Sequence, residues 1–242
     1  PRTGRSSITS SVPLSGRCEP PMPIYPEHRL IHIHIPKTGG TAIAESFHAL
    51  GDLRWTPEFW IGQQQRNGRW YEYQHLTMLE LRALAGADFH SRDSFVVVRN
   101  PYARLVSDYV WRQGIRRDRP HSATRFFDSF DLFLQAIPED MGVRWLDHIQ
   151  RADQAEANFL IHVRPQYQYV YDVDGRLLVD ELVRFENFGR EINRLLTRYG
   201  VSMTARTPPR ARDLAPYYNR QLLDRVNEIY ARDFECFSYE RL

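Results

Sequence analysis

Two stretches of the chain place a continuous apolar run directly before a helical pattern. Residues 30–35 form a short apolar run typical of a buried strand, and after a break residues 42–50 have a helical pattern. Residues 94–98 form a second apolar run, and Asn100-Pro101 then begins a helix predicted to extend to about residue 113. A strand followed by a helix, occurring twice, predicts a parallel sheet covered by helices.

The remaining pattern is mainly helical, with one predicted hairpin. Thr77 and Glu80 match a capping box before a helix over residues 78–85. Asp174-Gly175 is a turn signal between candidate strands at 167–172 and 176–180. Helices are also predicted at about 129–137, 143–161, 187–199 and 219–233, a strand near 182–185, and irregular segments at 52–74 and 114–128. The predicted fold class is α/β, a central parallel sheet flanked by helices, with a small hairpin in the C-terminal half.

Size and composition indicate a single domain. The chain has 242 residues, of which 26% are charged, and a net charge of +2, which does not favour nucleic acid as a partner. Cys18 and Cys236 are too few for a disulfide scaffold or a structural zinc site. Residues 1–27, rich in Pro, Ser and Arg, are expected to be a flexible or truncated leader, and residues 28–242 the domain. The sequence has no run of about 18 apolar residues, so no transmembrane segment is expected.

The first break between strand and helix has the composition of a phosphate-binding loop. Gly39 and Gly40 allow the backbone to approach an anion, and the helix that follows offers unsatisfied N–H groups. Thr38 and Thr41 add hydroxyl donors. Of the 32 basic residues, 31 are arginine and only Lys37 is lysine, which favours a specific task for that side chain. Lys37 precedes both glycines, whereas the Walker A lysine follows them.

The second junction has a basic residue at the end of its strand. Arg99 faces the edge at which open α/β sheets bind ligands, and it can grip a phosphate with two hydrogen bonds. Ser107 lies two helical turns further on and can donate its hydroxyl. Arg104, between them, is assigned to structural pairs.

These two motifs resemble those of a known family. The string from Ile35 to Thr41 looks like the 5′-phosphosulfate loop of the sulfotransferases that include heparan sulfate 2-O-sulfotransferases and many bacterial members. The resemblance implies a P-loop-like sulfotransferase fold that uses PAPS (3′-phosphoadenosine-5′-phosphosulfate). It also implies that Lys37 contacts the oxygen bridging phosphate and sulfate, while Arg99 and Ser107 bind the 3′-phosphate.

The resemblance continues to the C-terminus, over about residues 30–240. Pro165-Gln166, the segment Arg184 to Asn187 and the closing aromatic segment all look like family landmarks. The family usually has glycine where Ser238 stands, a departure expected to matter little. Arg210 and Arg212 stand where members often have a basic loop that closes over the cofactor, although solvated surface arginines explain them equally well.

His75 is the candidate general base. It lies two residues before the Thr77 cap, where the positive end of a helix favours neutral imidazole, the form that accepts a proton. The segment around it also resembles the one that supplies the catalytic histidine of the family. Glu72 is the alternative base, since some related sulfotransferases use a glutamate. His32 and His34 are interpreted as core residues, His162 has no partner visible in the sequence, and no metal ion is expected to be needed.

The sequence thus predicts a PAPS-dependent sulfotransferase that acts on an acceptor hydroxyl, most simply of a carbohydrate, and releases PAP, the desulfonated nucleotide. The aromatic residues of segment 55–74 and the arginines from Arg116 to Arg119 are candidates to line an acceptor cleft. A bacterial-type cytoplasmic enzyme is expected, with a soluble lumenal domain of a Golgi enzyme as the alternative. Two other functions stay open: an ATP- or GTP-using phosphotransferase, and a non-catalytic PAP-binding protein.

Overall fold

A computed structural model describes residues 24–25, 27–49, 63–66, 68–85, 92–201 and 213–242. The strands are β1 (Ile24–Tyr25), β2 (Leu30–Ile33), β3 (Gln63–Arg66), β4 (Arg69–Glu72), β5 (Asp93–Val98) and β6 (Glu181–Arg184). The helices are α1 (Gly40–Ala49), α2 (Met78–Ala85), α3 (Pro101–Asp118), α4 (Phe130–Gln135), α5 (Met141–Arg151), α6 (Gln154–Val163), α7 (Tyr167–Val170), α8 (Phe188–Arg198), α9 (Arg220–Ile229) and α10 (Ala231–Cys236). Single 3₁₀ turns cover Tyr73–His75 and Phe185–Asn187.

The central sheet has the order β1-β2-β5-β6. Strands β2, β5 and β6 are parallel, with Ile33 opposite Val96 and Val98 opposite Arg184. Strand β1 is antiparallel to β2, so the sheet is mixed and not wholly parallel as predicted. Ile24 and Tyr25 of this edge strand lie inside the expected leader, and Tyr25 is fully buried and stacked on Phe47.

Both faces of the sheet are covered by helices, as predicted for an α/β fold. On one face Phe95 and Val97 of β5 pack against apolar side chains of α1 and α8, such as Ile43 and Ile192. On the other face Ile33, Val96 and Val98 pack against α2 and α7. A third apolar cluster joins α3 to α6 with α9 and α10 beside the sheet. No helix among the described residues is long and apolar enough to cross a membrane.

The predicted hairpin in the C-terminal half is wrong. Its turn is present, with Asp172 accepting backbone hydrogen bonds from Asp174 and Arg176, but the flanking segments share only the single bridge between Tyr171 and Leu177. The first flanking segment is helix α7, because the buried Asp233 carboxylate accepts hydrogen bonds from the backbone N–H groups that begin it. The hairpin that does form is β3–β4, inside a segment predicted to be irregular.

Three helix predictions also differ from the structure, one of them the closing helix 219–233, which is two helices, α9 and α10, on either side of Tyr230. Helix α3 extends to Asp118, so the arginines expected in a loop begin on its last turn. The predicted helix 143–161 is two helices, because Asp153 caps α6 by accepting a hydrogen bond from the Glu156 N–H at 2.9 Å.

Candidate active site

The loop between β2 and α1 contains two residues with left-handed backbone. Lys37 has φ +68° and Gly39 has φ +95°. Glycine adopts this region at little cost, but any residue with a Cβ is strained there by about 1–2 kcal/mol. The one lysine of the chain therefore stands where the backbone alone would favour glycine or asparagine, and such strain is concentrated at functional sites.

The two glycines of the loop are required by packing as well as by any anion. A Cβ on Gly40 would lie 2.0 Å from the His34 ring, and a Cβ on Gly39 would lie 2.8 Å from the Phe188 ring. The sequence argument assigned both glycines to close approach of a phosphate. The structure adds a second reason for glycine at these positions, since an aromatic ring packs against each of them.

The two threonines of the loop have different environments. Thr38 is fully buried, and its hydroxyl donates a hydrogen bond of 2.9 Å to the Ile35 carbonyl. That hydroxyl hydrogen holds the loop together, contrary to the expectation that it would be donated to an anion. Thr41 is exposed in the first turn of α1, where the leading N–H groups of a helix have no intrahelical partner.

Arg99 brings the second junction into contact with the first. Because β2 and β5 are parallel neighbours, their carboxyl ends lie at the same edge of the sheet. The Arg99 Nη1 donates to the Lys37 carbonyl at 3.1 Å, and the guanidinium lies 4.1 Å from the centre of the Phe185 ring. The structure thus unites the two basic residues that the sequence assigned to one nucleotide.

Gln166 fixes the backbone of Arg99, a role that sequence reasoning missed. Its side-chain oxygen accepts from the Arg99 N–H at 2.9 Å, and its amide nitrogen donates to the Arg99 carbonyl at 2.8 Å. Asp233 in turn accepts from the Gln166 N–H at 2.9 Å. All of these groups are buried. Pro165-Gln166 was noted only as a family landmark, because no local pattern shows a contact made across 67 positions.

Helix α3 contacts the loop between β2 and α1 through Trp111. The Lys37 Nζ is 4.9 Å from the centre of the Trp111 ring, a cation–π contact. Ser107 is half-buried one turn before Trp111, and residues four apart share a helix face, so Ser107 lies on the face near the loop. Arg104 has the structural contacts expected of it, since it donates to the backbone carbonyls of His162 and Arg164.

His75 is hydrogen-bonded directly to the loop between β2 and α1. The capping box predicted for α2 is present, with reciprocal hydrogen bonds between Thr77 and Glu80, and the 3₁₀ turn before it ends at His75. His75 Nδ1 lies 2.8 Å from the His34 carbonyl oxygen. A carbonyl only accepts, so Nδ1 carries the hydrogen, and in the neutral ring Nε2 holds the lone pair.

His75 is buried, and burial is the main cause that lowers its pKa to about 4, partly opposed by the Glu72 carboxylate. The ring is therefore neutral at pH 7, as a general base requires. The sequence argument attributed neutrality to the helix end, whereas desolvation is the larger cause.

Glu72 and His162 lie beside His75. Glu72 Oε2 is 3.8 Å from His75 Nε2 and 3.9 Å from His162 Nε2, while the amide nitrogen of Asn158 donates to Glu72 Oε1 at 2.7 Å. The His162 ring stacks on Trp111 with centres 4.8 Å apart. His162 comes from the end of α6, so its place in the site follows from the tertiary fold and has no signal in the sequence.

His162 is held by a buried carboxylate. Its Nδ1 lies 2.6 Å from Asp108 Oδ1, and Asp108 also accepts from Arg112 at 2.7 Å. Burial alone would raise the pKa of Asp108, but Arg112 and His162 hold it well below its usual range. Asp108 is therefore an anion that fixes the His162 ring with Nδ1–H as the donor.

The other histidines of β2 and its end are core residues. His32 is buried and stacked on Phe95, and burial, followed by repulsion from His75, lowers its pKa to about 3. Burial is also the largest cause that lowers the pKa of His34, whose ring fills the space above Gly40.

The remaining basic candidates are Arg210, Arg212 and the arginines from Arg116 to Arg119. Arg210 and Arg212 lie outside the described residues. Arg116 pairs with Asp128 at 2.7 Å and Arg117 with Asp118 at 2.8 Å, both on the surface, and the exposed Arg119 caps the end of α3.

A small pocket opens beside His75. Its lining residues are Arg69, Trp70, Tyr71, Glu72, His75, Leu76, Glu80, Trp145, Ile161 and Arg164. Guanidinium groups already cover two of the rings, with Arg164 3.6 Å from the centre of Trp145 and Arg69 4.4 Å from the centre of Tyr71. The pocket therefore combines aromatic surface with two arginines, both paired with Glu80, next to the candidate base.

Comparison with known proteins identifies the family. The sequence model described as the Sulfotransferase family matches residues 21–240, nearly the whole chain. No curated protein and no solved structure matches the chain. The match includes both strand–helix junctions and the histidine between them, and it supports a sulfuryl-transfer function. The chain belongs to sulfotransferase family 2.

Proposed function

We propose that this protein transfers a sulfuryl group from PAPS to a hydroxyl group of a carbohydrate and releases PAP. One observation supports this proposal most: His75, a neutral base, is hydrogen-bonded to the loop that carries Lys37. A proton acceptor and a cation for the leaving phosphate are therefore parts of one rigid unit. The family generally uses PAPS as its donor, which fits the two basic junctions.

The residues at the sheet edge suit a nucleotide with phosphates at both ends. Lys37 and the N-terminus of α1 would hold the 5′-phosphosulfate, with Gly39, Gly40 and Thr41 supplying close backbone and hydroxyl contacts. Arg99, fixed by Gln166, would hold the 3′-phosphate together with Ser107. The contact between Arg99 and the Lys37 carbonyl sets the spacing of the two sites.

PAPS supplies the sulfuryl group, whose bond to the 5′-phosphate oxygen breaks as the new bond to the acceptor oxygen forms. His75 Nε2 takes the proton of the acceptor hydroxyl, while its Nδ1–H stays on the His34 carbonyl. Glu72, 3.8 Å away, stabilises the imidazolium. Lys37 offsets the charge that develops on the phosphate. Glu72 is thus a partner of the base and not the base itself.

We propose that the carbohydrate hydroxyl reaches His75 at the mouth of this pocket, since the pocket itself is too small to enclose a sugar ring. Trp70 gives it aromatic surface, on which sugar rings stack, and Arg69 and Arg164, which also pair with Glu80, give it donors for hydroxyl groups. The surface arginines 116, 117 and 119 are not needed for this role, since they do not line this pocket.

The experiment that tests the proposal is calorimetric titration of the protein with PAP, ADP and AMP without added metal. We expect PAP to bind far more tightly than ADP or AMP, because only PAP has a 3′-phosphate for Arg99. Arg99→Ala should remove that preference, and Arg116→Ala, a surface control paired with Asp128, should preserve it. Equal affinity for PAP and ADP would contradict the proposal and favour an ATP- or GTP-using phosphotransferase.

A further inference from the structure

Three buried side chains from three different elements bring possible metal-binding atoms together beside the phosphate loop. They are Glu72 at the end of β4, His75 on the 3₁₀ turn and His162 at the end of α6. One ligand atom of each lies within 4.8 Å of the others. Within the described part of the chain, no other group of histidine, cysteine, aspartate and glutamate has this geometry.

Both histidines have the orientation that metal-binding histidines need. His75 donates Nδ1–H to the His34 carbonyl, and His162 donates Nδ1–H to Asp108. In both rings Nε2 is therefore the nitrogen on the side of Glu72, 3.8 Å (His75) and 3.9 Å (His162) from Oε2. Histidines that bind metals almost always donate their other ring N–H to a carbonyl or a carboxylate, as these two do. Asn158, by donating to Glu72 Oε1, leaves Oε2 as the oxygen that faces the rings.

The spacing of the three atoms suits a shared cation better than direct contacts. The separations of 3.8 and 3.9 Å from Glu72 Oε2 to the two Nε2 atoms are longer than hydrogen bonds. Ligands about 2.1 Å from one zinc ion lie roughly 3.4–3.7 Å apart. The site would be complete if the two distances from Glu72 Oε2 shortened by a few tenths of an ångström. A small rotation of either ring would adjust the remaining distance, between the two Nε2 atoms.

We propose that Glu72, His75 and His162 form an inhibitory site for one divalent transition-metal ion of the zinc class. Imidazole nitrogen and carboxylate oxygen are ligands that zinc accepts, and Asp108 adds negative charge behind His162. The inhibitory part rests on the proposed function. A metal ion on His75 Nε2 occupies the lone pair that takes the acceptor proton, so sulfuryl transfer stops until the ion leaves.

Binding of the ion is testable without nucleotide or acceptor. The full chain is titrated with Co²⁺, whose visible absorption bands report four-coordinate or five-coordinate binding, and Zn²⁺ is then added to displace it. We expect one Co²⁺ per chain, and X-ray absorption should count two imidazole ligands. Glu72→Gln and His162→Gln should each weaken Co²⁺ binding by at least about tenfold. Loss of a group that only supports a ligand already costs about 10- to 100-fold in metal affinity, so loss of a ligand should cost no less.

A matched control comes from a half-buried pair of the same residue types away from this cluster. His148 Nε2 lies 2.6 Å from Asp140 Oδ1 and belongs to no cluster of three possible ligands among the described residues. His148→Gln should therefore leave Co²⁺ binding unchanged. Binding that is lost in His148→Gln, or kept in both Glu72→Gln and His162→Gln, would overturn the proposal as adventitious surface binding. The imidazole count on the unaltered chain gives a test that does not depend on how the variants fold.

PAP titration of the same samples separates this proposal from the proposed function. PAP binding without Co²⁺ binding would overturn the metal site and leave the sulfotransferase proposal intact. Co²⁺ binding without PAP binding would support the metal site and overturn the sulfotransferase proposal. If the protein binds both Co²⁺ and PAP, a Zn²⁺ concentration that fills the site in the displacement titration should abolish PAPS-dependent turnover. Undiminished turnover would overturn the inhibitory role.

Discussion

The two strand–helix junctions at the sheet edge are built in different ways. The β2–α1 loop is held by its own residues, since Thr38 bonds to Ile35 and the His34 ring packs where a Gly40 side chain would be. The β5–α3 junction is held from a distance. Gln166 clamps the Arg99 backbone, and Glu186 accepts from the Asn100 N–H at 2.8 Å.

The two junctions therefore differ in what they hold and in what holds them. The first junction holds Lys37 in a strained conformation and is hydrogen-bonded to His75, so both candidate catalytic residues depend on it. The second holds Arg99 in relaxed geometry through buried amide and carboxylate groups, so its position depends on the C-terminal half of the chain. Variants at the first junction should therefore change turnover, and variants around the second should change nucleotide affinity and stability.

The largest effect is expected at His75. His75→Ala removes the proton acceptor, and loss of a general base typically costs about 10²- to 10⁴-fold in rate. PAP affinity should stay unchanged, because Arg99 and its clamp are untouched. Single-turnover sulfuryl transfer and PAP calorimetry measure the two quantities, with His148→Ala, which lies outside the cluster, as the control. Turnover equal to that of the unaltered protein would exclude His75 as the base.

Two variants of Lys37 should separate the loss of its cation from the relief of its backbone strain. Lys37→Ala and Lys37→Gly both remove the cation and should reduce turnover by about 10²- to 10³-fold. Only Lys37→Gly also relieves the left-handed backbone at φ +68°, so its free energy of unfolding should exceed that of Lys37→Ala by about 0.5–1 kcal/mol. Urea unfolding of the two variants checks this. Equal stability would mean that the loop stores no strain at this residue.

The distant clamp should matter more for stability than the local one. Gln166→Leu leaves the buried N–H and carbonyl of Arg99 without their partner and should cost about 2–4 kcal/mol, with weaker PAP binding. Thr38→Val removes one hydroxyl donor to Ile35 and should cost about 1 kcal/mol. Urea unfolding and PAP calorimetry compare them. A larger cost in Thr38→Val would reverse the proposed difference between the junctions.

Acid should weaken the fold through the histidines beside the first junction. The pKa values of His32, His34 and His75 are lowered in the fold, mainly by burial, so below pH 6.5 the unfolded chain binds more protons than the folded one. Stability then rises with pH through this window, and at pH 5.5 His32 and His75 each cost about 1.4 kcal/mol. His32→Gln should reduce the stability difference between pH 7.5 and pH 5.5 by that amount in urea unfolding. An unchanged difference would show that His32 is not held neutral.

The sequence predicted the local parts of this architecture. Both apolar strands, the capping box at Thr77 and the helix after Asn100 follow from neighbouring residues, and the structure confirms them. The family resemblance gives Lys37 and His75 related roles, and the structure hydrogen-bonds His75 to His34, at the start of the loop that contains Lys37.

Contacts between distant segments could not be predicted from the sequence. The pairing of His162 with Asp108 joins residues 54 positions apart, and the bonds of Gln166 to Arg99 and to Asp233 each span 67. Asp233 also explains the wrong hairpin, because it stabilises α7 in a segment whose aromatic residues favour a strand. Tertiary hydrogen bonds to buried carboxylates override local propensity, and a single sequence does not show them.

The smallest effect concerns strain that serves no chemistry. Ser238 has φ +52°, where the family usually has glycine, and its carbonyl accepts from Arg184 at 3.0 Å at the end of β6. Ser238→Gly should raise the free energy of unfolding by about 0.5–1 kcal/mol, since glycine avoids the Cβ strain but loses more entropy on folding. Ser238→Ala keeps the Cβ and should give no gain in urea unfolding. If turnover is unchanged in Ser238→Gly, left-handed backbone at Ser238 differs from that at Lys37 in purpose, because only Lys37 carries a side chain that the proposed reaction uses.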